Sequence, residues 1–138
     1  MDSNEVASAF QNDSLGRDDA VGIANKIKKG ELSASLVTQD AIERAKAVNS
    51  KLNAITVENF DLAQTNSEKP FTGFFQGVPT FIKDTDEVPN LPLYLGSRSL
   101  PGEPSDKYSK AAKQIIDTGL NCLGTTCLLY TSDAADDA

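Results

Sequence analysis

The sequence has 138 residues, of which 39% are hydrophobic and 24% charged, a balance that fits one globular domain or a piece of a larger one and argues against wholesale disorder. Thirteen basic against 20 acidic side chains leave a formal net charge of −7, which disfavours binding to nucleic acid or anionic membranes through bulk charge. There is no histidine, so a Ser-His-Asp triad, a Cys-His pair and histidine-bearing zinc sites are excluded within the chain, and acid–base chemistry falls to Lys, Asp, Glu, Tyr or Cys.

The first residues, Met1-Asp2-Ser3-Asn4-Glu5, have neither the positive nor the apolar region of a secretory signal. No apolar run approaches the ~18 residues a membrane helix needs. These features set the expectation of a soluble, cytoplasmic protein. Residues 1–16 are polar and without period, and read as a flexible lead-in. From Asp18 onward Ala20, Ile23, Ala24 and Ile27 fall on one helical face. Asp18 and Asp19 suit the helix start, Lys26, Lys28 and Lys29 its end, and Gly30 the position just beyond.

Ser33 is placed to cap a second helix, with Val37, Ala41, Arg44, Ala45 and Val48 at helical spacing and Asn49-Ser50-Lys51 as its end. The short connection through Gly30 predicts an antiparallel helix pair. Asn53–Val57 reads as a strand and Phe60–Ala63 as a brief helix, followed by a surface connection over 64–73. Gly77–Asp84 reads as a strand entering the interior, with Pro79 near its beginning because proline has no N–H for a ladder. Pro89, Pro92, Pro101 and Pro104 mark an irregular passage over 85–105. A further helix capped by Ser105 or Asp106 presents Tyr108, Ala111, Ala112, Ile115 and Ile116, and Gly119 closes it. Leu120–Leu123 reads as a strand ended by Gly124, and the alternation of helix and strand predicts an α/β layer. The acidic segment from residue 131 carries Asp133, Asp136 and Asp137 but no large apolar side chain.

Lys83 is the first candidate for chemistry. Alternation places Phe81, Lys83 and Thr85 on one face of the strand and Ile82 and Asp84 on the other. A lysine desolvated beside an apolar ring has a lowered pKa and, when neutral, can activate a serine hydroxyl. The pattern alone leaves open a second reading, a surface lysine at a strand end. Ser97 in the Gly96-Ser97 turn is expected to hydrogen-bond locally, and Thr125-Thr126 to cap a following helix or contact a ligand. Asp84, Asp86 and Glu87 match no calcium-loop spacing and read as solvated loop carboxylates. Cys122 and Cys127 are too far apart for a CxxC site and read as small buried hydrophobes. No metal or cofactor is called for: glycine-rich phosphate loops are absent.

Residues 15–128 resemble the N-terminal part of an amidase signature family enzyme. The resemblance rests on four segments in order: Gly30-Glu31-Leu32-Ser33-Ala34 with Asn49 and Leu52-Asn53-Ala54; Gly77-Val78-Pro79-Thr80-Phe81-Ile82-Lys83-Asp84; Gly96-Ser97; and Ser105-Asp106, Gly119 and Gly124-Thr125-Thr126. It implies an α/β/α fold around a mixed sheet, of which this chain is the incomplete N-terminal part, preceded by the helix pair. It also implies hydrolysis of a small-molecule amide by a Ser–cis-Ser–Lys triad, with no cofactor and no nucleic-acid or membrane partner. Lys83 matches the family's catalytic lysine, whereas Ser97 matches neither triad serine. Where the family has Gly-Lys-Thr-Asn this chain has Gly124-Thr125-Thr126-Cys127, and the Pro-Glu-Phe-Gly expected after Leu128 is missing. The serine-bearing signature loop is not reached. Three divisions follow: a lead-in over 1–16, the amidase part over 17–128, and an acidic tail over 129–138 that reads as foreign translation. Two other readings stay open, a small acidic α/β binding module without catalysis and the amidase subunit of a tRNA-dependent amidotransferase.

Overall fold

The structure, a computed structural model, describes residues 6–127; the acidic tail expected over 129–138 lies outside them. In chain order the elements are α1 (Ala20–Lys28), α2 (Ala34–Leu52), β1 (Ile55–Glu58), α3 (Phe60–Ser67), β2 (Pro79–Lys83), α4 (Lys110–Asp117) and β3 (Asn121–Thr126). The strands form one mixed sheet in the order β1-β3-β2, with β1 antiparallel and β2 parallel to the central β3. The connection from β2 through α4 to β3 has the length that a parallel crossover demands. The α/β architecture with a mixed sheet is therefore as expected.

Local chemistry explains the element ends. The Asp19 carboxylate accepts the Gly22 N–H at 2.7 Å and caps α1. Gly30 follows with φ +76, a left-handed conformation that glycine adopts without steric cost. Ser33 Oγ accepts the Leu36 N–H at 3.1 Å and caps α2. That helix runs past the expected stop at Lys51 to Leu52, and Asn53 ends it in the left-handed region rather than opening a strand. Asn49 Oδ1 accepts the N–H groups of Ala54 and Ile55, each at 3.0 Å, and so turns the end of α2 into β1.

Three apolar clusters organise the packing. Ile42 and Ala45 of α2, Phe60 and Ala63 of α3, and Leu123 of β3 cover one sheet face, with Phe81 and Ile55 against them. Ile82, Cys122 and Ala112 of α4 pack on the other face with Val88 and Leu91 from the proline-rich passage. Leu15, Ile23, Ala24, Val37 and Val78 join α1 to α2 and to the entry of β2. Asn121 crosses from β3 to the helices: its Nδ2 donates to the Ala63 carbonyl at 2.9 Å and to Thr38 Oγ1 at 3.2 Å.

Several expectations need correction. α3 continues through Ser67 because polar Gln64 and Ser67 lie on its inward side, where Gln64 Nε2 donates to Ser35 Oγ at 2.9 Å. Ser109, not Ser105 or Asp106, caps α4 by accepting the Ala112 N–H at 3.1 Å, while the Ser105 hydroxyl donates to Glu87 at 3.3 Å. β3 passes through Gly124 instead of ending there. The end of the lead-in is tied down: Arg44 of α2 donates to both Asp13 carboxylate oxygens, at 2.5 and 2.6 Å, and Leu15 is in the core.

Candidate active site

Lys83 is the last residue of β2, paired in register with Thr126 of β3. Its side chain is exposed at the surface. The expected alternation is present: Ile82 and Asp84 are 2% and 1% exposed on the opposite face, and Phe81, two residues earlier on the face of Lys83, is half-buried against Ile42, Ala45 and Leu123. Lys83 thus stands where the apolar cover over Phe81 gives way to solvent, at the carboxyl end of a parallel strand pair. In open α/β sheets, ligand sites collect outside the carboxyl ends of the strands.

A depression of about 560 Å³ with mixed polar and apolar walls opens at that end, bordered by Asn53, Ile55, Asp84, Tyr94, Ser97 and Arg98. Asp84, expected among solvated carboxylates, forms part of its wall while almost wholly buried. Its Oδ1 accepts the Tyr94 N–H at 3.2 Å. Asp86 and Glu87 are likewise engaged, accepting from the hydroxyls of Ser109 at 2.7 Å and Ser105 at 3.3 Å. The three carboxylates therefore pin the 85–109 passage, Asp84 buried and Asp86 and Glu87 half-buried rather than fully solvated. Placing Asp84 on the face of Ile82 was the available signal of its burial.

Ser97 bonds locally as expected: its Oγ lies 2.6 Å from Ser99 Oγ and accepts the Ser99 N–H at 3.2 Å. Thr125 and Thr126 lie in β3 rather than at a helix start, and the buried Thr125 hydroxyl has no partner among the described residues. Cys122 is buried, and its desolvation pushes the thiol pKa above the usual range, whereas Cys127 is exposed, against expectation, because it lies just past the strand. Among the described residues, no group of three or more His, Cys, Asp or Glu side chains is placed to hold a metal ion. No helix among them is long and apolar enough to cross a membrane.

Residues 36–131, which include Lys83 and the depression beside it, match the family model Amidase. The chain belongs to the amidase family. It is 38% identical over 120 residues to the "Putative amidase AmiC" of Mycobacterium leprae, a match covering 87% of this chain and 26% of that protein. The solved structure of 6-aminohexanoate cyclic dimer hydrolase superposes with a TM-score of 0.72 at 27% identity, over 79% of this chain and 23% of that one. The native peptide amidase of Stenotrophomonas maltophilia superposes with a TM-score of 0.73 at 22% identity, over 82% of this chain and 25% of that enzyme, and speaks for the fold alone. This amidase-family chain spans about a quarter of the length of the relatives it matches.

Proposed function

We propose that this chain is the N-terminal part of an amide hydrolase in which Lys83 is the catalytic lysine of a Ser–cis-Ser–Lys triad. The observation that carries the reading is the position of Lys83: it lies next to last in the Gly77–Asp84 segment and ends β2, at the carboxyl end of the parallel β2–β3 pair, inside the family match. In the complete enzyme the lysine, desolvated and neutral, draws a proton through the bridging serine from the nucleophilic serine. That serine attacks the amide carbonyl, and backbone N–H groups hold the developing oxyanion. Collapse, with the lysine returning its proton through the bridging serine to the departing nitrogen, expels ammonia or an amine and leaves an acyl-enzyme. Water then releases the carboxylic acid and regenerates the serine. The substrate is a small-molecule carboxylic amide, no cofactor takes part, and the enzyme works in the cytoplasm.

The chain by itself is inactive in this reading, because both serines belong to a signature loop beyond it and Lys83 stands at the surface. The division into a lead-in, an amidase part over 17–128 and a foreign tail over 129–138 belongs to the same proposal. Sequencing the native transcript past the codon for Leu128 tests the tail: recovery of Leu129–Asp136 from genomic DNA, in frame and followed by a stop, refutes it. For activity, the complete reading frame is expected to release ammonia from simple carboxamides. Lys83→Ala should lower kcat by about 10³-fold or more, and the present chain should release none. Amide hydrolysis by this chain, lost in Lys83→Ala, would overturn the inactivity.

A further inference from the structure

We propose that Asp84 is a positioning residue that fixes the carboxyl end of β2, and with it Lys83, by accepting the main-chain N–H of Tyr94. The inference rests on the amidase reading of Lys83. Asp84 is the one charged side chain in the described core, with 1% of its surface exposed. Burying a carboxylate costs several kcal/mol unless hydrogen bonds compensate it, so its retention there calls for a task. Alternation sends it to the face opposite Lys83, and it therefore acts through the backbone rather than on reacting groups.

The bonds around it show how. The Asp84 N–H donates to the Thr126 carbonyl at 2.9 Å, carrying the parallel ladder one residue past the Lys83–Thr126 pair. The Asp86 N–H returns to the Lys83 carbonyl at 3.1 Å and closes a turn. The Asp84 side chain then reaches Tyr94, ten residues on, and clamps the loop over that turn. The peptide that carries Lys83 is held by the sheet on one side and by the clamped loop on the other. That acceptor oxygen is the tie between loop and strand. Without it the Tyr94 N–H loses its partner, the loop lifts, and the last residue of β2 frays. Displacements near 1 Å in a catalytic group cost up to about 10²-fold in rate.

Asparagine presents the same acceptor oxygen, whereas alanine presents none. In the complete protein, Asp84→Ala is expected to lower kcat about tenfold or more with KM changed less than about twofold, and Asp84→Asn to stay within about threefold of the parent kcat. In the present chain, hydrogen exchange at the Tyr94 amide should quicken in Asp84→Ala and hold in Asp84→Asn. Should Asp84→Ala fail to fold, Tyr94→Pro removes the N–H together with the ring, and Tyr94→Ala, which removes the ring and keeps the N–H, is its control. The proline variant is expected to lose markedly more kcat than the alanine one, and equal losses overturn the inference. Turnover that depends on Lys83 while Asp84→Ala keeps its kcat overturns this inference alone, as does an Asp84→Asn variant impaired as badly as Asp84→Ala. Turnover that survives Lys83→Ala defeats the amidase reading itself.

Discussion

Arg44 grips Asp13 through both carboxylate oxygens and also donates to the Gly16 carbonyl at 2.8 Å, fastening the end of the lead-in to α2. Hydrogen bonds from Arg44 hold the Asp13 carboxyl below the ordinary carboxylate range, against the opposing effect of burial. The folded chain therefore binds that proton less readily than the unfolded one. The stabilisation is present above about pH 4 and disappears as pH falls through the lowered folded value. Asp13→Asn should lower stability at neutral pH by about 1–2 kcal/mol, and the difference should shrink at acid pH, as the Asp13 carboxylate takes up its proton. Urea midpoints of the two proteins at both pH values check this. Single residues were legible in the sequence where an interaction is local or periodic. The Ser33 cap and the Ser97 turn follow from their neighbours, and the burial of Ile82 follows from alternation. The Asp13–Arg44 pair spans 31 residues, and the Asn121 bonds to Thr38 and Ala63 span 83 and 58, so nothing in their surroundings announces them.

Among elements, the helices were clearest where caps and an apolar stripe coincide, as in α1 and α2. They were least clear in α3, whose second half turns Gln64 inward, where its Nε2 donates to the hydroxyls of Ser35 and Ser67, and so lacks an apolar signature. β3 was misjudged at Gly124 for a related reason: glycine reads as punctuation, yet here it admits a neighbouring strand. A β-carbon at Gly124 would lie 2.2 Å from the Val57 carbonyl oxygen, and its φ of +149 strains any other residue. Gly124→Ala should therefore cost about 2 kcal/mol or more and loosen β1 first. Chemical denaturation gives the magnitude. Hydrogen exchange at Thr56 and Val57 shows the place, and unchanged protection there would contradict the assignment.

Over the whole molecule, the sheet faces are covered but the sheet is narrow. Among the described residues β1 and β2 each have one side without a strand partner. An apolar groove of about 320 Å³ runs between α2 and the sheet, walled by Val48, Leu52, Ile55, Phe81 and Leu123. Open edges and exposed apolar surface invite pairing with other copies. The isolated chain should self-associate as its concentration rises, with added apolar dye fluorescence; a single monomeric species in sedimentation velocity at every concentration tried would show that the groove and edges are harmless. The fold class and the place of Lys83 were readable because they depend on periodicity and on one contiguous segment. The clamp at Asp84 was not, since it depends on how the 85–105 passage returns to the strand.

Among the described residues, the strand latest in the chain holds the middle of the sheet. Among the described residues β1 and β2 do not pair with each other; each pairs with β3. A ribosome synthesising this protein from the amino end must therefore extrude two orphan strands and all four described helices before the piece that unites them emerges. Until residues 121–126 are free, β1 and β2 lack the strand they pair with, and a chaperone would find the nascent polypeptide in that interval.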